Sequence, residues 1–423
     1  MIKRIRLASS SLWNNLNFRQ LWIGQTVSVM GSQITFMAIP LIAVVMLQAD
    51  AAQMGLLTAA STAPFFIIGL FAGVWVDRVN RLPILIYSNL IAALILALIP
   101  VLNGLQLLNM WLLCLIAFLT ASCSMIFQFA YQSFLPTIVS KEALTEGNSK
   151  LEATRATTQF VGPSAAGSLI QVLSAPVAIL VDVLTYIVSI FFFRRIKANE
   201  VKPSLPRKGM LKQITGGFAH IFTSPFLRTI SLTTAILNFS RCAFDAVYML
   251  FLVQNLSVNP AQIGLIYGVG SVGSIAGALL SNRLAQKIGI GSAIIGAAVM
   301  IGAGLMMVSF AAGNFYLILP LLFLAQMCSS LGNSVYFITQ VSIRQAVTPN
   351  EIMGRVNATQ LFISRGAIPL GALLGGIAGS WLGLRWTIFL AGCLSLCSVA
   401  LLMLSPVRTV NRSAELIAQQ ESA

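Results

Sequence analysis

The sequence predicts an all-α membrane protein of twelve transmembrane helices, arranged as two pseudo-symmetric six-helix bundles. Three observations carry this: the scarcity of charge, the number and length of the apolar runs, and a register of matching residues between the two halves. Of 423 residues, 57% are hydrophobic and 9% are charged, against roughly 25% charged in a soluble globular chain. So few charges cannot cover a water-facing surface, which excludes a soluble enzyme and a disordered chain.

Apolar runs occupy residues 21–47, 53–76, 82–102, 110–132, 149–173 and 176–193, then 227–254, 261–284, 289–311, 315–338, 356–380 and 384–405. Each is long enough for a helix across about 30 Å of hydrocarbon. The domains are therefore a first bundle over 1–193, a linker over 194–225, and a second bundle over 226–423 that ends in a short polar tail. The basic segment 1–17 has no small-residue cleavage site behind a short apolar core, so it does not resemble a cleaved signal. The six cysteines all fall in apolar runs without metal or redox spacing, so no metal site is expected.

The net charge of +15 would suggest nucleic acid in a soluble protein. Here the bases sort by side. Arg4, Arg19, Arg78, Arg81, Lys141, Lys150, Arg195, Lys208, Arg283, Lys287, Arg344, Arg355 and Arg408 all belong to one face of the membrane, and Arg385 is the base on the other. The positive-inside rule puts both termini and the linker in the cytoplasm, with no role for nucleic acid.

Shifting the chain by 209 residues superposes Gly55 on Gly264, Arg19 on Arg228, Glu142 on Glu351 and Asn148 on Asn357. The same shift sets Gly162 and Gly167 on Gly371 and Gly376. Two six-span repeats of parallel orientation follow, a plan in which halves rock about a site near the bilayer midplane.

After the second span stands Gly73-Val74-Trp75-Val76-Asp77-Arg78-Val79-Asn80-Arg81. Gly73 allows close helix approach, Asp77 can pair with Arg78, Arg81 or a neighbouring helix end, and Asn80 can take a left-handed turn. A plain charged turn is the competing reading. The stretch resembles the signature loop of the major facilitator superfamily (MFS), Gly-x-x-x-Asp-Arg-x-Gly-Arg, with Gly73, Asp77, Arg78 and Arg81 matching and Asn80 replacing the Gly. With the twelve spans and the repeat, the resemblance implies the MFS fold and identifies Gly73, Asp77, Arg78 and Arg81 as a gating motif. A narrower resemblance rests on Phe18-Arg19-Gln20-Leu21-Trp22-Ile23-Gly24-Gln25 and on Tyr131-Gln132-Ser133-Phe134-Leu135-Pro136. These look like the macrolide-efflux and enterobactin-exporter branch. That implies a monomer in the bacterial inner membrane exporting drugs or siderophores, driven by a proton gradient and without a bound cofactor. Gly162-Pro163-Ser164-Ala165-Ala166-Gly167 is similar to the family's antiporter motif. Physically, Gly162, Pro163 and Gly167 form a helix-packing motif.

A charge at a helix centre costs about 2.5–3.5 kcal/mol on insertion scales, so charges without a topological reason deserve a role. Glu152 and Arg155 share one face of span five, and Arg241 and Asp245 one face of span seven, where each can pair. Arg241 lies about 22 Å into its run at 1.5 Å per residue. Asp182 in span six has no base nearby in sequence, and either carries a proton or bonds a helix partner. Asp182, Asp245, Arg241, Glu152 and Arg155 are thus the proton-coupling candidates. Arg365 either attracts an anionic substrate or pairs with Asp182 or Glu152. Together with Gln25, Gln33, Gln128, Tyr131 and Asn238 it is a candidate to line a substrate cavity.

The reading is a secondary exporter of amphipathic small molecules, with siderophore export as the alternative. A non-transporting sensor or scaffold is the competing class, but a linker of about 30 residues is too short for a soluble output domain. No nucleotide-binding loop or nucleophile triad appears, so an enzyme is not expected.

Overall fold

The computed structural model describes residues 12–76, 78–140, 143–198, 200, 218–349 and 352–409. Among these the chain is helical throughout, without strands. The first half holds α1 (Leu16–Leu41), α2 (Ala51–Ile67), α3 (Gly69–Val76), α4 (Arg81–Gly104), α5 (Met110–Ile138), α6 (Leu144–Leu173) and α7 (Ala175–Arg194). The second half holds α8 (Pro225–Leu250), α9 (Pro260–Ile288), α10 (Ile290–Ser309), α11 (Phe315–Val347), α12 (Met353–Leu382) and α13 (Leu384–Met403). Helices α2 and α3 form one crossing, so the layout is twelve spans. Among the described residues, ten helices are long and apolar enough to cross a membrane. The other two crossings depart for identifiable reasons. In α2 the ring of Pro64 removes one helical N–H donor, and the helix breaks at Ile68. The first half of α6 carries Glu146, Lys150, Glu152 and Arg155.

The 209-residue repeat reaches far into the backbone. Helix α1 corresponds end to end with α8, α6 with α12 and α7 with α13. Wide π-turns extend α1 at Ile42–Met46 and α8 at Phe251–Asn255, again 209 apart. Capping boxes of Asp50 with Gln53 and of Asn259 with Gln262 start α2 and α9. In each, the cap side chain accepts the third N–H while the Gln answers the cap's own N–H.

Ser174 and Gly383, also 209 apart, both turn the chain between the last two helices of their bundles. Their backbones are alike, φ 69°, ψ 156° and φ 86°, ψ 157°. Glycine adopts that conformation without cost, whereas a side chain in it is strained by about 1–3 kcal/mol.

Asn80 and Gly289, which start α4 and α10, break the symmetry. Gly289 is left-handed with φ 85°, but Asn80 is extended at φ −64°, ψ 132°. The left-handed turn expected at Asn80 is therefore not formed. Here the helix start is closed by Glu200 from the linker. Its carboxylate accepts the backbone N–H groups of Arg81 and Leu82 at 2.7 and 2.8 Å, and it lies 3.8 Å from the Arg81 guanidinium. An anion at a helix N-terminus satisfies orphan donors and opposes the helix dipole.

Ser174→Gly is expected to stabilise the protein by about 1 kcal/mol by removing the strained side chain. Thermal unfolding in detergent would read this as a rise of a few degrees in Tm. A fall in Tm would show that the serine stabilises the turn.

Candidate functional site

Both termini of the described chain lie at one end of the bundle, and the two halves are joined tightly toward the other, far end. Two seams make the join. On one, a Cβ added to Gly376 of α12 would lie 2.6 Å from Gly55 Cα of α2, and one added to Gly55 would lie 2.7 Å from the Ala372 carbonyl. On the other, a Cβ on Gly167 of α6 would meet the Pro260 carbonyl and lie 3.0 Å from Gly264 Cα of α9. Gly55 and Gly264 are one repeat pair, and Gly167 and Gly376 the other, so the seams are images of each other. From the far end the α6–α9 seam continues through Ser164 Oγ, 3.3 Å from the Gly264 carbonyl, to Ser271 Oγ, which donates to the Gln159 carbonyl at 2.6 Å. The α2–α12 seam continues to Phe66 on Phe362, with ring centres 5.2 Å apart.

Toward the terminus end lies a cavity of about 740 Å³, walled by α1, α4, α5, α6 and α7 of the first bundle. Its wall is rich in amides and hydroxyls, including Gln25, Gln128, Gln132, Asn148 and Gln159, with Phe127 and Tyr131 as aromatic surface. Gln25 Oε1 and the Tyr131 hydroxyl are buried there without hydrogen-bond partners among the described residues. Glu152 and Arg155 also line it, paired with each other through Arg155 Nε at 3.0 Å. Opposite charges three residues apart on one face of α6 neutralise each other, while the rest of the wall is neutral and hydrogen-bonding.

The remaining candidates stand elsewhere. Gln33 lies outside the cavity wall, with its side chain over Gly162, and so holds α1 against α6. Asn238 Nδ2 donates to the Ser364 carbonyl at 3.0 Å and ties α8 to α12. Arg365 pairs with neither Asp182 nor Glu152. Its guanidinium stacks 4.9 Å from the Phe65 ring, across the α2–α12 seam. The Pro163 carbonyl meets Gly264, so Pro163 and Gly167 both belong to the far-end seam. In the gating motif, Gly73 falls in α3, Arg78 is exposed, Arg81 is held by Glu200, and Asp77 lies outside the described residues.

Asp182 is fully buried between α1 and α7. Thr35 Oγ1 of α1 donates to one carboxylate oxygen and Thr185 Oγ1 to the other, the latter at 3.0 Å. Gly31 makes room, because a Cβ there would run into Thr185 and Asp182. Asp182 is absent from the cavity wall, although Tyr186, one turn on, is part of it. Arg241 and Asp245 are paired on α8, with Arg241 Nε donating at 3.0 Å to both carboxylate oxygens. Each keeps about a third of its side chain accessible, 32% and 34%.

Sequence reasoning missed Glu200, Gln132, Asn148 and Gln159. The amides sit at spacings within α5 and α6 that repeat the helix period with Gln128 and Arg155, and that period could have found them. Glu200 carries no local signal, since its partners are about 120 residues away.

Comparison with known proteins now gives the architecture its family. A model of the transmembrane secretion effector family of the MFS matches residues 9–422. The chain belongs to this family of membrane transporters. It is 25% identical over 373 residues to multidrug efflux pump Tap of Mycolicibacterium fortuitum, covering 85% of this chain and 88% of that protein. It is 22% identical over 407 residues to macrolide efflux protein A of Streptococcus pyogenes, covering 94% and 99%. It is 30% identical over 182 residues to enterobactin exporter EntS of Escherichia coli O1:K1 / APEC, covering 41% of each. The fold matches the crystal structure of a bacterial homologue of the iron transporter ferroportin in its inward-facing state, with TM-score 0.73, 17% identity and coverage of 91% and 97%. The protein is thus a multi-pass membrane transporter of the MFS and not an enzyme.

If Asp182 holds α1 to α7, Asp182→Asn keeps both hydroxyl contacts, because an amide oxygen and NH2 can answer them. Its stability should stay within about 0.5 kcal/mol of the parent, the range of substitutions that disturb no special feature. Asp182→Leu should lose about 1–3 kcal/mol by leaving buried hydroxyls unpaired. Thermal unfolding of both variants checks this. Equal destabilisation by Asn would assign the charge itself a structural role.

Proposed function

We propose that this transporter exports amphipathic small molecules by proton antiport with rocking alternating access. It works as a monomer in the bacterial inner membrane with both termini in the cytoplasm. The observation that carries the reading is the opposition of two mirrored glycine seams toward the far end and a polar cavity toward the terminus end. A molecule with one end sealed and a cavity at the other holds one of the two states that alternating access needs. The bases grouped at the terminus end support placing that end in the cytoplasm. The cavity then accepts substrate from inside the cell, and opening the seams releases it outside. The multidrug and macrolide efflux relatives support export as the direction. The enterobactin exporter, at 30% identity over its matched segment, supports siderophore export as the second reading.

No resident cofactor takes part in this account, and the driving force is the proton gradient. Asp245 is the carboxyl we assign to coupling. It stands within the membrane-spanning helix α8, is partly accessible, and has Arg241 beside it as a partner that can be released and retaken. Protonating Asp245 frees Arg241, so the cost of the free guanidinium differs between the two states. Glu152 with Arg155 then orders the cavity wall, and Asp182 holds α1 on α7.

In vesicles with an imposed pH gradient, Asp245→Asn is expected to slow proton-driven efflux of a fluorescent drug at least tenfold (about 1.4 kcal/mol or more in the barrier). Asp182→Asn should keep it within about twofold on the same scale. Undiminished efflux in Asp245→Asn would remove that residue from coupling, and loss in Asp182→Asn alone would transfer the role.

A further inference from the structure

A chain of four aromatic rings runs from the Arg241–Asp245 pair toward the first bundle. Phe244 and Tyr248, from the same helix, stack with centres 4.5 Å apart. Tyr248 lies 6.1 Å from Tyr267 of α9, and Tyr267 lies 5.8 Å from Phe36 of α1. The cluster therefore bridges the two bundles. The Arg241 guanidinium is 5.7 Å from the centre of the Phe244 ring. Tyr248 is fully buried, and its hydroxyl has no hydrogen-bond partner among the described residues.

This group is not finished as a permanent ion pair. A structural Arg–carboxylate pair in a low-dielectric site gains most from the two-pronged fork, with two parallel N–H···O bonds. Here a single nitrogen, Nε, is shared between both oxygens, and Nη1 turns away to Ser329 Oγ at 3.4 Å. Each oxygen retains capacity to accept another donor. A buried tyrosine hydroxyl left unpaired is a group awaiting a partner.

We propose that Asp245 and this aromatic cluster form the binding site for a protonated amine on the substrate. The ammonium takes the place of Arg241 on the carboxylate, and the ring faces of Phe244, Tyr248, Tyr267 and Phe36 surround its alkyl groups. The rings decide the sign of the ligand. An aromatic face is negative and attracts cations, most strongly where water is excluded. An anionic substrate could also use Arg241, but it would have to strip Asp245 away and then face the same negative rings. The cavity wall in the first bundle suits the uncharged, hydroxyl-bearing part of such a molecule, since Gln25 Oε1 and the Tyr131 hydroxyl lack partners there. The substrate class is therefore an amphipathic amine with hydrogen-bonding groups on its body. This rests on the export reading and narrows it.

A matched pair of macrolides tests the site: erythromycin, which carries a tertiary amine, and its N-desmethyl-N-acetyl derivative, which is neutral. Binding is measured on the purified full chain in lipid nanodiscs, and efflux on the same chain in vesicles. The parent protein should bind the amine about tenfold more tightly than the neutral compound. Asp245→Asn should bring the two within twofold by weakening the amine alone. Arg241→Gln should tighten the amine, because its competitor is gone. The double variant Arg241→Gln/Asp245→Asn has no stranded charge, so it guards against misfolding. It should bind the two compounds equally. Equal affinities in the parent, or equal loss of both compounds in Asp245→Asn, would overturn the amine site while export of both compounds left the export reading standing. A parent chain that binds and expels neither compound would overturn both.

Discussion

Bare backbone against bare backbone, at Gly55 with Gly376 and at Gly167 with Gly264, is the contact on which the arrangement of the two halves depends. Lipid tails are as apolar as leucine, so helices in a membrane gain little from simple burial and associate through close packing instead. A single added Cβ would lie 2.6 Å from Gly55 Cα, or against the Pro260 carbonyl, far inside van der Waals contact. The two seams are images of each other under the repeat. The glycine contacts themselves carry no strong directional bonds, and Ser164 and Ser271 add hydrogen bonds across the α6–α9 seam.

The positions of the polar groups follow from these seams. Hydrogen bonds between the bundles run from Ser164 to Ser271, so the seam is bonded as far as mid-depth. The amide-rich wall lies toward the terminus end from there. Within the first bundle, Gly31 brings α1 against Asp182 and Thr185, and Gly24 brings it against Phe193. In the second, Asn238 and Ser364 tie α8 to α12. The bundles are thus internally tied by polar contacts and joined to each other mainly by glycines and aromatic rings. That division favours motion between halves over motion within them.

Much of the fold was legible because a repeat can be read without knowing any contact. The 209-residue offset anticipated matching helices, and the glycines that matched in sequence became the glycines that meet in space. Local pairs were legible too, since three or four residues along a helix fix a shared face, as with Glu152 and Arg155 or Arg241 and Asp245. What depended on a distant partner was not. Gln33 and Gln25 look equivalent in sequence, yet one packs over Gly162 and the other lines the cavity. Arg365 looked like a partner for a carboxylate and stacks on Phe65 instead. Asn80 looked like a substitute for glycine, but the linker's Glu200 closes that helix start. The signature loop pointed to the superfamily correctly, while its surroundings include a carboxylate that only tertiary structure reveals.

We propose that the two ends of the bundle open in alternation about the glycine seams. Paired spin labels across the far end and, separately, across the terminus end would measure it most directly, in nanodiscs with and without substrate at low and high pH. Alternating access predicts that whenever the far-end distance lengthens, the terminus-end distance shortens, with the far-end-closed arrangement dominant in the absence of substrate. Distances that stay fixed under all conditions, or that lengthen together at both ends, would contradict it.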